Sequence, residues 1–255
     1  MLKYFDSHAH YMDEKFDEDR FELLNSLNKE GNVSCIMNIG YDIPSSYKVK
    51  ELSDKFDFCY GAVGVHPHDA DSVKMSDYDI LRKLCENEKI LAIGETGLDY
   101  YYDNSKREKQ KEEFANHLDL AEELKLPVVI HEREAKKDTL DIILPRNNIG
   151  VFHCFSGNVE IAKIVLNKGY YISFAGPVTF KNAKHVKEVA KFVPSDRFLI
   201  ETDCPYLAPV PKRGGRNNSF NLKYIVEEIA LLRGDSAENI AKLSMENAKR
   251  LFGVK

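Results

Sequence analysis

The sequence predicts an α/β fold, a (β/α)8 TIM barrel built as a single domain over residues 1–255, from three observations. Eight short runs rich in β-branched and aromatic residues recur along the chain, and longer amphipathic stretches separate them. Most of these runs are apolar on both faces, as parallel strands covered by helices are. A barrel of eight βα units typically needs about 250 residues, which this chain supplies.

The predicted strands follow one another without a linker-like segment between them. They are LKYFDSH, SCIMNIG, FCYGAVGVH, ILAIGE, PVVIHE, GVFHCF, YYISFAG and RFLIETD, beginning near Leu2, Ser34, Phe58, Ile90, Pro127, Gly150, Tyr170 and Arg197. Helical periodicity appears over 16–29, 186–192 and 224–232, and in the residues Phe114, Leu118, Ala121 and Leu124. A doubly wound open sheet is the alternative fold, although no glycine-rich dinucleotide or phosphate-binding motif follows any strand.

Composition and charge limit the classes of protein to consider. The net charge of −5 argues against a protein that coats polyanions, while leaving room for a local basic patch. No apolar run approaches the roughly 18 residues of a membrane span, and polar residues occupy the place of a signal peptide's apolar stretch. The five cysteines are dispersed and odd in number, as is usual in a reducing compartment. We expect a cytoplasmic protein without membrane contact, and the sequence indicates no obligate protein partner.

Six of the eight histidines fall at the carboxyl ends of predicted strands, where parallel barrels place their active sites. With the neighbouring carboxylates, the polar residues at this rim are Asp6, His8, His10, His66, His68, Glu95, His131, His153, Glu201 and Asp203. At any single position, a hydrogen-bonded structural histidine or a helix-capping acid is the commoner interpretation. The convergence of the whole set favours a metal site, because imidazoles and carboxylates together suit Zn²⁺, Mn²⁺ or Mg²⁺.

The first strand is expected to bind one ion. Alternation along a strand would place Asp6, His8 and His10 on one side, so the two imidazoles can chelate the same ion. Asp203 is expected to bind this ion and to accept a proton from its water. Asp6 is expected to orient an imidazole instead of binding metal.

A second ion is expected between His131 and His153, which come from neighbouring strands. Glu95 lies between the two groups in strand order, so its two oxygens can bridge both ions, an arrangement suited to hydrolysis. Cys154 and Cys204 adjoin predicted ligands, but strand alternation predicts that both point toward the helices.

The segment after the last strand, CPYLAPVPKRGGRNNS, is stiffened by prolines and basic within an acidic chain. Guanidinium and ammonium groups bind phosphate, and a solvated charged loop is the alternative interpretation. The candidate substrate-binding cations are Arg133, Lys212, Arg213 and Arg216. The rim also carries tyrosines that can stack on bases or simply pack, namely Tyr100, Tyr101, Tyr102 and Tyr206.

Taken in order, DSHAH, GVHPH, GETGLDYYYD, HEREA, HCFSG, ETDCPYLAP, RGGRN and NAKRLF resemble the motifs of the TatD family of metal-dependent deoxyribonucleases, over nearly the whole chain. The resemblance implies a TIM barrel of the metal-dependent hydrolase superfamily with two or more divalent ions, Mg²⁺ or Mn²⁺ in function, with Zn²⁺ also compatible. It implies phosphodiester hydrolysis, typically 3′ to 5′ exonuclease action on single-stranded DNA. The family's metal ligands fall on His8, His10, Glu95, His131, His153 and Asp203.

The resemblance also adds His66 and Glu201, which match further polar positions of the family's site and join Glu95 and Asp203 as candidate catalytic residues. One departure is visible: Asn218 and Ser219 stand where the family loop often has an acid and a proline, which bears on the rigidity of that loop.

Two alternatives to a nuclease stay open. The first is an amide, lactone or aminoacyl-ester hydrolase, such as a D-aminoacyl-tRNA deacylase, on the same barrel. Amide-cleaving members of the superfamily often bridge their metals with a carboxylated lysine of the fourth strand, whereas this chain has Glu95 there and Lys89 at the other end of the strand. The second alternative is a metal-stabilised binding protein without turnover.

Overall fold

A computed structural model describes residues 2–255 and contains one eight-stranded parallel sheet. The strands are β1 Tyr4–Ala9, β2 Val33–Ile39, β3 Cys59–Val63, β4 Ile90–Asp99, β5 Val128–Arg133, β6 Gly150–Phe152, β7 Tyr171–Phe174 and β8 Phe198–Ile200. Neighbours pair in chain order from β1 to β8, and each strand begins within two residues of its predicted position. This order confirms the predicted barrel and excludes the doubly wound sheet, whose strand order reverses.

The first and last strands meet just beyond the end of β8. A parallel bridge joins Ala9 to Cys204. The Asp203 amide donates to the His8 carbonyl at 2.9 Å, and the His10 amide donates to the Cys204 carbonyl at 2.8 Å. The seam of the barrel is therefore closed at its carboxyl end, next to the predicted metal ligands.

Helices cover the outside of the strands. They are α1 Arg20–Lys29, α2 Ile43–Lys55, α3 Met75–Leu84, α4 Arg107–Leu124, α5 Lys136–Ile143, α6 Val159–Asn167, α7 Lys184–Phe192, α8 Leu222–Arg233 and α9 Ala237–Phe252. Short 3₁₀ turns lie at Glu14–Phe16, Pro67–Ser72, Gly176–Thr179 and Ser219–Asn221. The helix predicted to begin at 16 begins at Arg20 instead, because Asp13 caps the preceding turn by accepting from the Lys15 amide.

Two apolar layers leave one end of the barrel free for polar side chains. The inner layer takes at least one residue from every strand, and Leu251 and Phe252 of α9 pack onto it, with the Phe252 ring 6.1 Å from that of Phe5 near the start of β1. The outer layer lies between strands and helices. Because α9 covers the amino end of the strands, the carboxyl end is the open mouth.

Among residues 2–255, no helix is both long and apolar enough to cross a membrane. The five cysteines are all free.

Candidate metal centre

Four buried donor atoms from β1, β4 and the segment after β8 converge at the mouth of the barrel. The Nε2 atoms of His8 and His10 lie 3.1 Å apart. Glu95 Oε2 lies 3.3 Å from the His8 nitrogen, and Asp203 Oδ1 lies 3.3 Å from the His10 nitrogen. His10 is fixed by donating its Nδ1 proton to the Ile39 carbonyl at 2.8 Å, which leaves Nε2 with a free lone pair.

The spacing of these atoms fits a divalent ion. The two remaining measured separations are 3.6 Å, between His8 Nε2 and Asp203 Oδ1, and 3.8 Å, between His10 Nε2 and Glu95 Oε2. A tetrahedral ion with bonds of about 2.0–2.2 Å keeps its ligands roughly 3.3–3.6 Å apart. Five of the six edges of the donor set thus scatter around the separations that an ion requires.

A second donor set lies on the other side of Glu95. Its Oε1 atom lies 2.9 Å from His131 Nδ1 and 2.8 Å from His153 Nε2, and these two nitrogens are 3.2 Å apart. His66 Nε2 lies 3.5 Å from the same oxygen. Glu95 therefore directs one oxygen at each set, as the bridging prediction requires.

The position of Glu95 depends on how closely β4 approaches its neighbours. Gly94 adopts φ 141°, and a Cβ atom there would lie 2.6 Å from the Val129 carbonyl oxygen. The Glu95 amide donates to the Gly40 carbonyl at 2.8 Å. Because only glycine fits beside β5, the carboxylate is held deep in the mouth, where it is 4% exposed.

The protonation states match those of metal ligands. Burial raises the pKa of Glu95, but the nearby charges of His153, His66 and His8 outweigh it and hold this pKa well below its usual range. Burial holds the pKa of His66 well below that of a free imidazole. Metal binding requires an ionised carboxylate and neutral imidazoles, so these two groups are already in the binding form at neutral pH.

Asp203 reaches the first set through the backbone at the end of β8. Its φ of 57° lies in the left-handed region, which an aspartate tolerates better than most residues. The resulting turn brings the carboxylate back toward β1, beside His8 and His10.

A carboxylate that the sequence analysis did not select supports the second set. Asp99 is fully buried, and its Oδ2 atom accepts from His131 Nε2 at 3.0 Å and from His68 Nε2 at 3.1 Å. The backbone amides of Tyr101 and Tyr102 donate to Oδ1. The predicted strand ended near Glu95, whereas β4 extends to Asp99, so the signal was a second acid four residues later on the same strand.

Glu201 lies behind His153. Its Oε1 atom accepts from the Cys154 amide at 2.6 Å and lies 3.4 Å from His153 Nδ1. From there it can orient the imidazole, as outer carboxylates commonly do.

The expectation that Asp6 orients an imidazole is wrong. Its Oδ1 atom accepts from the Thr202 amide at 2.9 Å, and its Oδ2 atom accepts from the hydroxyls of Thr202 and Ser219, both at 2.6 Å. The pairing of β1 with β2 shifts register between Asp6 and Ala9, so simple alternation does not continue through His8. Asp6 ties β1 to the chain after β8 instead.

The departure at Asn218 and Ser219 does not loosen the loop. Asn218 caps a 3₁₀ turn by accepting from the Phe220 amide at 3.0 Å. Ser219 is 1% exposed and lies 2.8 Å from the Tyr11 hydroxyl in addition to its bond with Asp6.

The two cysteines differ from each other. Cys204 lies buried in the layer between strands and helices, as predicted. Cys154 does not share that layer: it is partly exposed at φ 41°, two residues past the end of β6, where alternation no longer applies. The carboxylates of Asp203 and Glu201 act on its thiol and, after the larger effect of burial, raise its pKa well above the usual value.

The predicted substrate cations have different surroundings. The Arg133 guanidinium stacks over Tyr101 at 4.0 Å, with Tyr102 at 5.0 Å. Arg213 lies over the Phe180 ring, and Lys212 is exposed. Arg216, in contrast, is engaged by the Asp19 carboxylate and by the Lys15 carbonyl, which accepts from its Nη1 at 2.7 Å.

The four tyrosines also separate. Tyr100 packs against the core and donates to Asp138, whereas Tyr101 and Tyr102 are 53% and 55% exposed beside Arg133. Tyr206 lies on the opposite flank, with its ring 6.2 Å from that of His10.

Lys89 does not reach the metal centre. Its Nζ atom donates to the carbonyls of Ser53 and Phe56, at 2.8 and 3.0 Å, before the start of β4. A carboxylated lysine of β4 therefore has no counterpart at this mouth, within residues 2–255.

Comparison with known proteins gives three concordant findings. A sequence model described as TatD related DNase matches residues 5–253. The metal-dependent hydrolase YabD of Bacillus subtilis is 44% identical, with 98% of this chain and 99% of YabD covered. The 3′-5′ ssDNA/RNA exonuclease TatD of Erwinia tasmaniensis is 34% identical, with 98% and 100% covered. The crystal structure of YJJV, a TatD homologue from Escherichia coli, superimposes with a TM-score of 0.91 at 26% identity, covering 99% and 98% of the two chains.

Proposed function

This chain belongs to the TatD-related DNase family of metal-dependent hydrolases, and from that premise we propose that it cleaves phosphodiester bonds in DNA. We assign the activity to one domain over residues 1–255, acting as a 3′ to 5′ exonuclease on single strands. The observation that carries the proposal is Glu95, whose two carboxylate oxygens each face a separate set of buried donors. Such a shared carboxylate suits a pair of ions across a transferring phosphoryl group.

Two divalent ions fit the donor sets, with Mg²⁺ or Mn²⁺ proposed in function and Zn²⁺ compatible with the same imidazoles. His8, His10 and Asp203 would hold the first, His131 and His153 the second, and Glu95 both. Ions held there lower the pKa of a water molecule and offset the charge that develops on the phosphate oxygens.

The remaining steps belong to the side chains. Asp203 is positioned to accept a proton from the attacking water, because its carboxylate borders the first donor set and is kept ionised by the imidazoles of His10 and His8. We place His66 as a neutral imidazole facing the substrate side of Glu95. We assign Glu201 to orienting His153, within hydrogen-bonding range of its outer nitrogen.

DNA is the proposed substrate because of what surrounds the mouth. Arg133 lies two residues past His131 and presents an unpaired guanidinium on two exposed tyrosine rings, within the part of the chain that the structure describes. A guanidinium binds phosphate and exposed aromatic rings stack on unpaired bases, which favours single strands. We propose Lys212 and Arg213 as further phosphate contacts. The relative named as a 3′-5′ ssDNA/RNA exonuclease supports the same direction of cleavage.

We further propose a cytoplasmic location, which the five free, dispersed cysteines support.

A nuclease assay tests the proposal. A single-stranded oligonucleotide labelled at its 5′ end is incubated with Mg²⁺ or Mn²⁺, with and without EDTA, using the wild type, Glu95→Ala and the exposed-surface control His185→Ala. We expect a ladder shortened from the 3′ end, lost in EDTA and in Glu95→Ala but kept in the control. Equal activity in every sample would exclude the metal centre as its source.

The same samples separate the alternatives. Amides, lactones and aminoacyl-tRNA are assayed beside DNA and RNA. Turnover of these esters or amides without cleavage of DNA would replace the proposal by the ester or amide hydrolase. Tight DNA binding with no product under any divalent ion would indicate a binding protein.

A further inference from the structure

A lysine that no sequence motif selects lies beside the metal centre. Lys15, on the 3₁₀ turn after β1, is exposed, and its ammonium lies 4.3 Å from the centroid of the Tyr206 ring. Although acids surround it in the sequence, no carboxylate among residues 2–255 lies within 4.0 Å of this ammonium. The charge is therefore available to an anion from outside the protein.

Tyr206 connects this lysine with the reacting centre. Its amide donates to the Asp203 carbonyl at 2.9 Å, and its hydroxyl donates to Asp13 at 2.7 Å. The ring is 42% exposed and its edge faces that of His10. One tyrosine ring thus separates the Lys15 ammonium from a ligand of the first donor set.

The turn that carries Lys15 is fixed at both ends of the residue. The Lys15 amide donates to Asp13 Oδ1 at 2.8 Å, and the Lys15 carbonyl accepts from Arg216 Nη1 at 2.7 Å. Arg216 is in turn paired with Asp19. Because its guanidinium is used in this way, Arg216 positions Lys15, and Lys15 is the cation left to contact substrate on this flank.

We propose that Lys15 and Tyr206 form a nucleotide subsite beside the first donor set, in which the ammonium binds a backbone phosphate and the ring stacks on the attached base. An ammonium is a compact charge suited to phosphate oxygens, and an aromatic face accepts any base. The subsite mirrors Arg133 over Tyr101 on the other flank, so the strand is held on both sides of the metal centre. This inference rests on the proposed nuclease function.

The test compares Lys15→Gln and Tyr206→Leu with Lys48→Gln, which removes an exposed lysine of α2 on the outside of the barrel. Hydrolysis of a single-stranded oligonucleotide gives KM and kcat. Fluorescence anisotropy in EDTA gives affinity for the same strand as a function of salt. In Lys15→Gln we expect KM to rise about tenfold, with a much smaller change in kcat, because a charge-assisted bond to a non-reacting phosphate is lost.

The salt dependence separates the two residues. For a single strand, each phosphate contact contributes about 0.7 to the slope of log K against log salt. Lys15→Gln should reduce this slope by that amount, whereas Tyr206→Leu should weaken binding at an unchanged slope. Lys48→Gln should match the wild type in every measurement.

The outcomes distinguish the subsite from the function. If the wild type cleaves DNA but Lys15→Gln behaves like Lys48→Gln, the subsite is wrong and the nuclease assignment stands. If the wild type cleaves no DNA, the nuclease assignment fails and anisotropy alone decides the subsite. A selective loss of affinity in Lys15→Gln then supports a phosphate site, and equal affinity in all variants overturns it.

Discussion

Two buried histidine environments in this molecule differ in how their ring nitrogens are partnered. His117, on α4 outside the barrel, donates from Nδ1 to the Glu113 carbonyl at 2.7 Å and accepts from the Val65 amide at Nε2 at 3.1 Å. At the mouth, His8 and His10 direct two ring nitrogens at each other and at carboxylate oxygens.

Burial does not separate the two environments, since His117 and His8 are both completely buried. Complementarity does. A structural histidine matches its donor to an acceptor and its acceptor to a donor, whereas ligand histidines bring lone pairs together with no proton to share among them. Convergent acceptors are stable only with a cation between them, so the pairing pattern, more than depth, identifies the metal centre.

The largest expected effect comes from removing one convergent nitrogen. His8→Asn deletes a donor of the first set, and we expect activity to fall by about 10³-fold or more, because a metal ion contributes several kcal/mol of transition-state stabilisation. Metal content measured by plasma mass spectrometry should fall in parallel. His185→Asn, at an exposed helical histidine, is the control. Unchanged metal content in His8→Asn would break the comparison.

The next effect concerns the carboxylate behind the second set. Asp99→Asn keeps the size of the side chain but weakens its bond to His131, and loss of such outer partners typically costs about 10- to 100-fold in metal affinity or activity. Calorimetric titration of the metal-free protein with Mn²⁺ measures the affinity. Asp103→Asn changes an exposed aspartate of the next loop as a control. An affinity loss shared by both variants would argue against a specific role for Asp99.

A smaller and opposite effect is expected at the structural histidine. His117→Asn leaves the Val65 amide or the Glu113 carbonyl without its partner, which costs about 1–3 kcal/mol of unfolding free energy. Metal affinity and kcat at saturating metal should stay within a few-fold of wild type. Urea denaturation and the nuclease assay on the same preparation measure both. Loss of metal binding without loss of stability would reverse the assignment of the two environments.

The smallest effect is a pH dependence of that difference. Burial lowers the pKa of His117 below 6.5, with smaller opposing effects from its bond to the Glu113 carbonyl and from the Glu113 charge; the Tyr78 hydroxyl and Lys109 complete its charged surroundings. Below about pH 6.5 the unfolded chain therefore binds a proton that the folded chain does not, and wild-type stability falls as pH falls. His117→Asn lacks this loss, so the stability gap between the two proteins should narrow from pH 7.5 to 5.5. A gap that stays constant or widens in acid would contradict the shift.

The sequence was sufficient for the barrel because its signals are local. Period-two and period-3.6 patterns located all eight strands, and the rule that barrels place chemistry at strand ends brought His8, Glu95, His131 and Asp203 to one mouth.

What the sequence could not predict depends on contacts between distant segments. The partners of Asp6 lie about two hundred residues away, at Thr202 and Ser219, and its orientation depends on a register shift in β1. The pairing of Arg216 with Asp19 likewise joins the last loop to the first turn. Both outcomes required the path of the backbone beyond the strands, which no local pattern encodes.

The closure of the barrel between β1 and the segment after β8 has a consequence for synthesis. The first donor set takes His8 and His10 from the beginning of the chain and Asp203 from near its end. A nascent chain on the ribosome therefore carries its first two ligands long before the third emerges. The hydrolytic centre cannot assemble until almost all of the protein has been translated, so incomplete chains are kept catalytically silent.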